Sequence, residues 1–75
     1  MINEYRNILK GEGFLFEDIG DFSLKIKFSN CTVKVFETLS DKLLVQMYDT
    51  KGNKQLARSY KTTRGAFNFI LRYVD

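Results

Sequence analysis

Histidine, tryptophan and proline are absent from this 75-residue chain, and cysteine occurs only once, as Cys31. Without histidine the chain lacks the commonest general base and metal ligand. Cys31 has no histidine to activate it, cannot form an internal disulfide and cannot hold zinc alone. We therefore predict a protein that is not an enzyme, with no catalytic residue, no metal site and no small-molecule cofactor.

Long apolar runs are also missing. No stretch approaches the roughly 18 apolar residues of a membrane span, and the first residues lack the basic start and apolar core of a signal peptide. We expect a cytoplasmic protein without a membrane partner. Lysine, asparagine, isoleucine, phenylalanine and tyrosine are abundant and have AT-rich codons, which favours a bacterial or phage origin.

The composition is that of a folded chain. Hydrophobic residues make up 44% and aromatic residues 15%, too many for a disordered segment. Ordinary domains hold about 100–150 residues, so a chain of this length is expected to form one domain over residues 1–75.

The clearest local pattern is a strict alternation of apolar and polar residues over 22–28, which predicts a strand. Ser29 and Asn30 suit a two-residue turn, and a second alternating strand is expected over 31–37. If Phe28 pairs with Cys31 across this turn, the apolar residues of both strands share one face.

The remaining segments complete an α+β fold. Apolar residues at helical spacing predict helices over about 2–10 and 63–74, and further strands are expected over about 14–17, 43–49 and 54–60. The sequence 49–52 is typical of a turn closed by a left-handed glycine. We predict an antiparallel four- to five-stranded meander sheet flanked by an N-terminal and a C-terminal helix. The expected core comprises Ile26, Val33, Val35, Val45, Phe67, Ile70 and Leu71.

The expected strand registers leave a second, basic and aromatic face. Pairing Val45 with Ala57 and Leu43 with Ser59 would complete this face from the last strand. Its candidate binding residues are Lys25, Lys27, Lys34, Phe36, Tyr48, Arg58 and Tyr60.

Charge is unevenly distributed along the chain. Residues 1–21 contain two basic and five acidic residues, a net charge of −3, whereas residues 22–75 carry +6. The acidic cluster Glu12, Glu17, Asp18 and Asp21 is best interpreted as a solvated charge run, although a hydrolase or oxygen-ligand metal site could use such residues. The basic remainder indicates an anionic partner.

Two functions remain open at this point. The first is a small binding module that acts through a protein partner or self-association, as an accessory protein, regulator or inhibitor. The alternative is binding of single-stranded nucleic acid, whose bases stack on aromatic rings while lysines neutralise phosphates. The position of the first helix decides between them, because a helix packed on the basic aromatic face would block it.

Overall fold

A computed structural model describes residues 1–73 and shows a five-stranded antiparallel sheet with its strands in sequence order. The elements are α1 (Ile2–Gly11), β1 (Glu17–Gly20), β2 (Ser23–Lys27), β3 (Cys31–Glu37), β4 (Leu43–Asp49), β5 (Lys54–Tyr60), α2 (Thr63–Ile70) and a 3₁₀ turn (Leu71–Tyr73). The predicted α+β fold with one helix at each end is confirmed.

The β2–β3 hairpin forms as its alternation predicts. The Phe28 amide donates to the Cys31 carbonyl at 2.8 Å, which closes the two-residue turn. Ile26 pairs with Val33, and the apolar side chains of both strands therefore point to the same side. Cys31 is only 6% exposed and acts as a small core residue.

Both helices pack on this same apolar side of the sheet. Their buried residues join those of β2, β3 and β4 in a single core. Two hydrogen bonds tie the helices together: the Tyr5 hydroxyl donates to the Ala66 carbonyl at 3.4 Å, and the Thr63 hydroxyl donates to Glu4 at 2.7 Å. Burial raises the pKa of Tyr5, with a smaller contribution from Tyr60. The molecule thus has two layers, helices on one side and an uncovered sheet on the other.

Local sequence signals define the helix ends. The Thr62 hydroxyl accepts from the Gly65 amide at 3.0 Å and caps the start of α2. At the end of α1 the Phe14 amide donates to the Leu9 carbonyl at 2.8 Å, while Gly13 adopts the left-handed conformation with φ 80°.

The first strand lies later than predicted, at Glu17–Gly20 in place of residues 14–17. The hydrogen bond from the Phe14 amide to the end of α1 holds Phe14 against the core. Its ring packs edge-on against Phe67 there, at 5.6 Å between ring centres. The chain can therefore run alongside β2 only from Glu17 onward.

The predicted register of β5 is wrong by one residue. The turn forms as expected, with Gly52 at φ 86° and the Asp49 amide donating to the Asn53 carbonyl at 2.9 Å. A β-bulge then shifts the pairing between Met47 and Tyr48, so that Val45 faces Arg58 and not Ala57. The shift turns Leu56 and Tyr60 toward the helices, where they pack against the core.

The C-terminal helix also departs from the predicted pattern. Regular α-helix ends at Ile70 and tightens into the 3₁₀ turn, which leaves Leu71 45% exposed instead of buried. Phe69 is 3% exposed and adds its ring to the core beside Phe67 and Ile70. Val74, the last residue of the predicted helix, lies outside the described residues.

Candidate binding face

The outer face is the side of the sheet opposite the helices. Strand pairing arranges its side chains in three rows that cross β2, β3, β4 and β5. The first row is Ser23, Phe36, Leu44 and Ser59; the second is Lys25, Lys34, Gln46 and Ala57; the third is Lys27, Thr32, Tyr48 and Lys54. None of these residues belongs to the core cluster, so the face is open to solvent.

Three lysines meet at the β2–β3 side of this face. Lys25 and Lys34 are direct cross-strand partners, and Lys27 occupies the next row on β2. Facing like charges destabilise a sheet slightly. Two contacts offset this repulsion: Lys25 Nζ lies 3.6 Å from Glu17 Oε2, and Lys34 Nζ lies 4.8 Å from the centre of the Tyr48 ring.

Two aromatic rings lie on opposite sides of the lysine row. Tyr48 is half-buried, and its hydroxyl donates to Gln46 Oε1 at 2.9 Å, which directs the ring along β4. Phe36 is four residues from Thr32, the partner of Tyr48, so the backbones of Phe36 and Tyr48 are about 13 Å apart along the strand direction at a rise of roughly 3.3 Å per residue. The two rings therefore belong to separate rows of the face.

Two of the seven predicted binding residues lie elsewhere. The register shift places Arg58 and Tyr60 on the helix side of β5, where Tyr60 packs against Phe69 at 5.7 Å between ring centres. Arg58 is exposed at that edge. The outer face therefore unites Lys25, Lys27, Lys34, Phe36 and Tyr48 and excludes the other two. The sequence contained one signal for the observed register of β5: the spacing of Leu56 and Tyr60 places these two apolar residues on one side of the strand.

Sequence reasoning missed the contribution of the β4–β5 turn. A shallow depression of about 270 Å³ lies at the lysine cluster and is lined by Lys25, Lys27, Thr32, Lys34, Tyr48, Asp49, Thr50 and Gly52. The turn residues form one wall of it. The Asp49 carboxylate accepts from the amides of Asn53 and Lys51 and from the Gln55 side chain, each at 2.9 Å. These bonds, that of the Asn53 amide above all, lower the pKa of Asp49.

The acidic residues near β1 form structural contacts. Arg6 Nε lies 2.8 Å from Asp18 Oδ1, and the same guanidinium donates to the carbonyls of Gly20 and Asp21. Within residues 1–73, no acidic or thiol side chains are grouped as a set of three that could hold a metal ion. Arg6 thus uses this segment to fasten β1 to α1.

Comparison with known proteins finds no match to this chain among family models, curated proteins or solved structures. Over the described part of the chain, no helix combines the length and apolar character needed to cross a membrane. The outer face is therefore the feature of this protein from which a function can be inferred.

Proposed function

We propose that this protein is a small, non-enzymatic binding module whose outer face binds single-stranded nucleic acid. The observation that carries the proposal is the open sheet face, on which Lys25 and Lys34 lie in the row between Phe36 and Tyr48 and Lys27 lies in the row of Tyr48. Because α1 packs on the other side of the sheet, it does not block this face.

The lysines supply the phosphate contacts. Lys25, Lys27 and Lys34 come from adjacent strands and form a compact positive patch. A polyanion that binds there releases condensed counterions, which provides much of the affinity of non-specific nucleic-acid binding. The rest of the outer face is neutral or basic apart from Glu17 at the β1 edge and Asp49 in the turn.

The rings favour single strands over duplex. A base can stack on Phe36 or Tyr48 only when it is unpaired, and each such contact contributes about 1–3 kcal/mol. Readout of duplex DNA usually inserts a helix or a two-stranded ribbon into the major groove. Here both helices lie behind the sheet, which presents a broad surface of four strands.

Fluorescence anisotropy with a labelled oligonucleotide tests this proposal. We expect binding at low salt, with a log-log salt slope of about −2, since three lysines each neutralise one phosphate at roughly −0.7 per contact. Lys25→Gln or Lys27→Gln should weaken binding and flatten the slope. Lys10→Gln is the matched control, because Lys10 is exposed on α1 behind the sheet and should leave both quantities unchanged.

A titration in low salt can contradict this proposal. Non-specific electrostatic binding typically has dissociation constants of about 10⁻⁴–10⁻⁶ M at physiological salt and tightens as salt is lowered. A protein at micromolar concentration that binds no single strand in low salt would exclude the proposed function.

A protein partner or self-association is the second candidate, and exposed apolar residues favour it. Leu15, Ile19 and Phe22, in and beside β1, are 90%, 41% and 63% exposed. Exposed apolar patches often mark protein interfaces. This candidate predicts a dimer on a sizing column or a recovered protein partner, with Leu15→Asp abolishing the association and the lysine variants leaving it intact.

A further inference from the structure

The lysine cluster lines a shallow depression in the outer face. Lysine side chains from β2 and β3 line it, and the β4–β5 turn bounds it through Asp49, Thr50 and Gly52. Its volume of about 270 Å³ lies just below the roughly 300–1,000 Å³ of pockets for drug-sized ligands. The depression therefore suits a single small group and not a long stretch of polymer.

The charge of the depression points to a phosphate monoester. Three lysines and Thr32 line one small volume, although the Lys25 ammonium group also pairs with Glu17 and that of Lys34 lies over the Tyr48 ring. A phosphodiester in the middle of a strand carries a single negative charge, whereas a phosphate monoester carries about −1.5 to −2 at neutral pH. A terminal phosphate thus neutralises more of the lysine charge than an internal one.

The β4–β5 hairpin places a carboxylate and an aromatic ring at the depression. Asp49 brings a carboxylate to the wall, but three donors occupy its oxygens and compensate part of its charge. The neighbouring Tyr48 ring lines the same depression, so a phosphate held by the lysines would lie beside a surface for one base. The combination matches one terminal nucleotide.

We propose that this depression binds the terminal phosphate of a single-stranded nucleic acid, with the end base against Tyr48. The inference rests on the proposed function and extends it, because it makes the outer face a reader of phosphorylated ends. Phosphopeptide sites more often use arginine clusters, and the depression contains lysine and no arginine. A nucleic-acid end is therefore the favoured source of the monoester.

The test compares oligonucleotides of one sequence that differ only in their terminal groups. An internally labelled oligonucleotide of about eight nucleotides, within the usual site sizes of single-strand binders, is prepared with a 5′-phosphate, a 3′-phosphate or hydroxyl ends. At fixed salt we expect one phosphorylated form to bind about tenfold more tightly than the hydroxyl form, the size expected from added charge-assisted hydrogen bonds. The preference should decrease on acidification below about pH 6, where the monoester loses its second charge.

Lys27→Gln provides the matched variant. Lys27 is exposed at the rim of the depression, so its replacement should remove the end preference without disturbing the core. Lys10→Gln should keep the preference, and thermal melts of both variants should match the wild type. Thr32→Val tests the hydroxyl separately and should reduce the preference while preserving the charge.

The outcomes separate the two proposals. Equal affinity for phosphorylated and hydroxyl-ended strands would overturn this inference and leave the proposed function standing. Failure of every oligonucleotide to bind would overturn the proposed function and the inference with it. Tighter binding of a phosphoserine peptide than of any phosphorylated strand would overturn the assignment to nucleic acid.

Discussion

At the residue scale, the ammonium group of Lys34 covers the face of the Tyr48 ring. The lysine Nζ lies 4.8 Å from the ring centre, over the surface that a base would use. An exposed cation–π contact contributes about 0.5–1 kcal/mol, less than the 1–3 kcal/mol of base stacking. A base can therefore displace Lys34 from the ring and release its ammonium group toward a phosphate.

This exchange predicts a crossover for Lys34→Gln. At low salt the variant should bind single strands more weakly than the wild type, because one phosphate contact is lost. At high salt, where phosphate contacts contribute little, it should bind as well as or better than the wild type, because Tyr48 is already uncovered. Anisotropy titrations across salt concentrations measure both regimes.

Lys25→Gln is the control for the crossover, because Lys25 pairs with the Glu17 carboxylate, whereas Lys34 covers an aromatic ring. It should weaken binding at low salt and never exceed the wild type at high salt. Parallel curves for the two variants would show that Lys34 does not regulate access to Tyr48.

The pairing of Lys25 with Lys34 was predictable from the sequence, whereas the Lys34–Tyr48 contact was not. Strict alternation and a two-residue turn determine which residues face each other. The rotamer of a long side chain depends on neighbours from other strands, here Tyr48 of β4. A local sequence pattern does not predict it.

At the scale of the elements, β5 shows why a correct turn does not guarantee a correct face. The sequence predicted the turn over 49–52, but the bulge beside Met47 and Tyr48 reverses the faces of the β5 residues that follow. The gain is apolar burial, because packing Leu56 and Tyr60 against the core removes more apolar surface from water than Ala57 could. Tertiary packing thus decided a register that local turn chemistry left open.

The end of α2 gives a stability prediction at the same scale. Ile70 is fully buried, and Ile70→Ala should lower the free energy of unfolding by about 2–5 kcal/mol, enough to unfold much of a domain this small. Leu71→Ala should lower it by only on the order of 0.5 kcal/mol, because that side chain faces solvent where the helix tightens. Chemical denaturation of both variants checks the difference.

Similar losses at the two positions would contradict the helix end described here. Ile26→Ala on β2 serves as a second core variant, since Ile26 is 1% exposed and contributes to the same cluster. It should resemble Ile70→Ala and not Leu71→Ala.

At the scale of the whole molecule, a small core explains why one sheet face is left open. A chain of this size buries only about 60% of the surface that its unfolded form exposes. Packing α1 beside α2 concentrates the apolar residues in one layer, with Tyr5 and Leu9 fully buried. The sequence predicted both helices but left open the side on which α1 packs, because the apolar stripe of a helix does not by itself determine which face of the sheet it covers.

Charge is segregated along with burial. The acidic N-terminal segment forms α1 and β1, and only Glu17 of its carboxylates is a cross-strand neighbour of the lysine cluster. Glu17 pairs with Lys25. Under the proposed function its carboxylate would also repel a phosphate bound by the lysines, an effect separate from its contribution to the net charge.

Glu17→Gln should therefore strengthen binding of single strands by roughly two- to fivefold, the factor that corresponds to about 0.5–1 kcal/mol for an exposed ion pair. The gain should shrink as salt rises, because both the pair and the repulsion are exposed to solvent. Glu12→Gln is the matched control: it changes the net charge equally, but Glu12 lies at the end of α1 and should leave the affinity nearly unchanged. Equal gains in the two variants would mean that net charge, and not the geometry of the outer face, governs association.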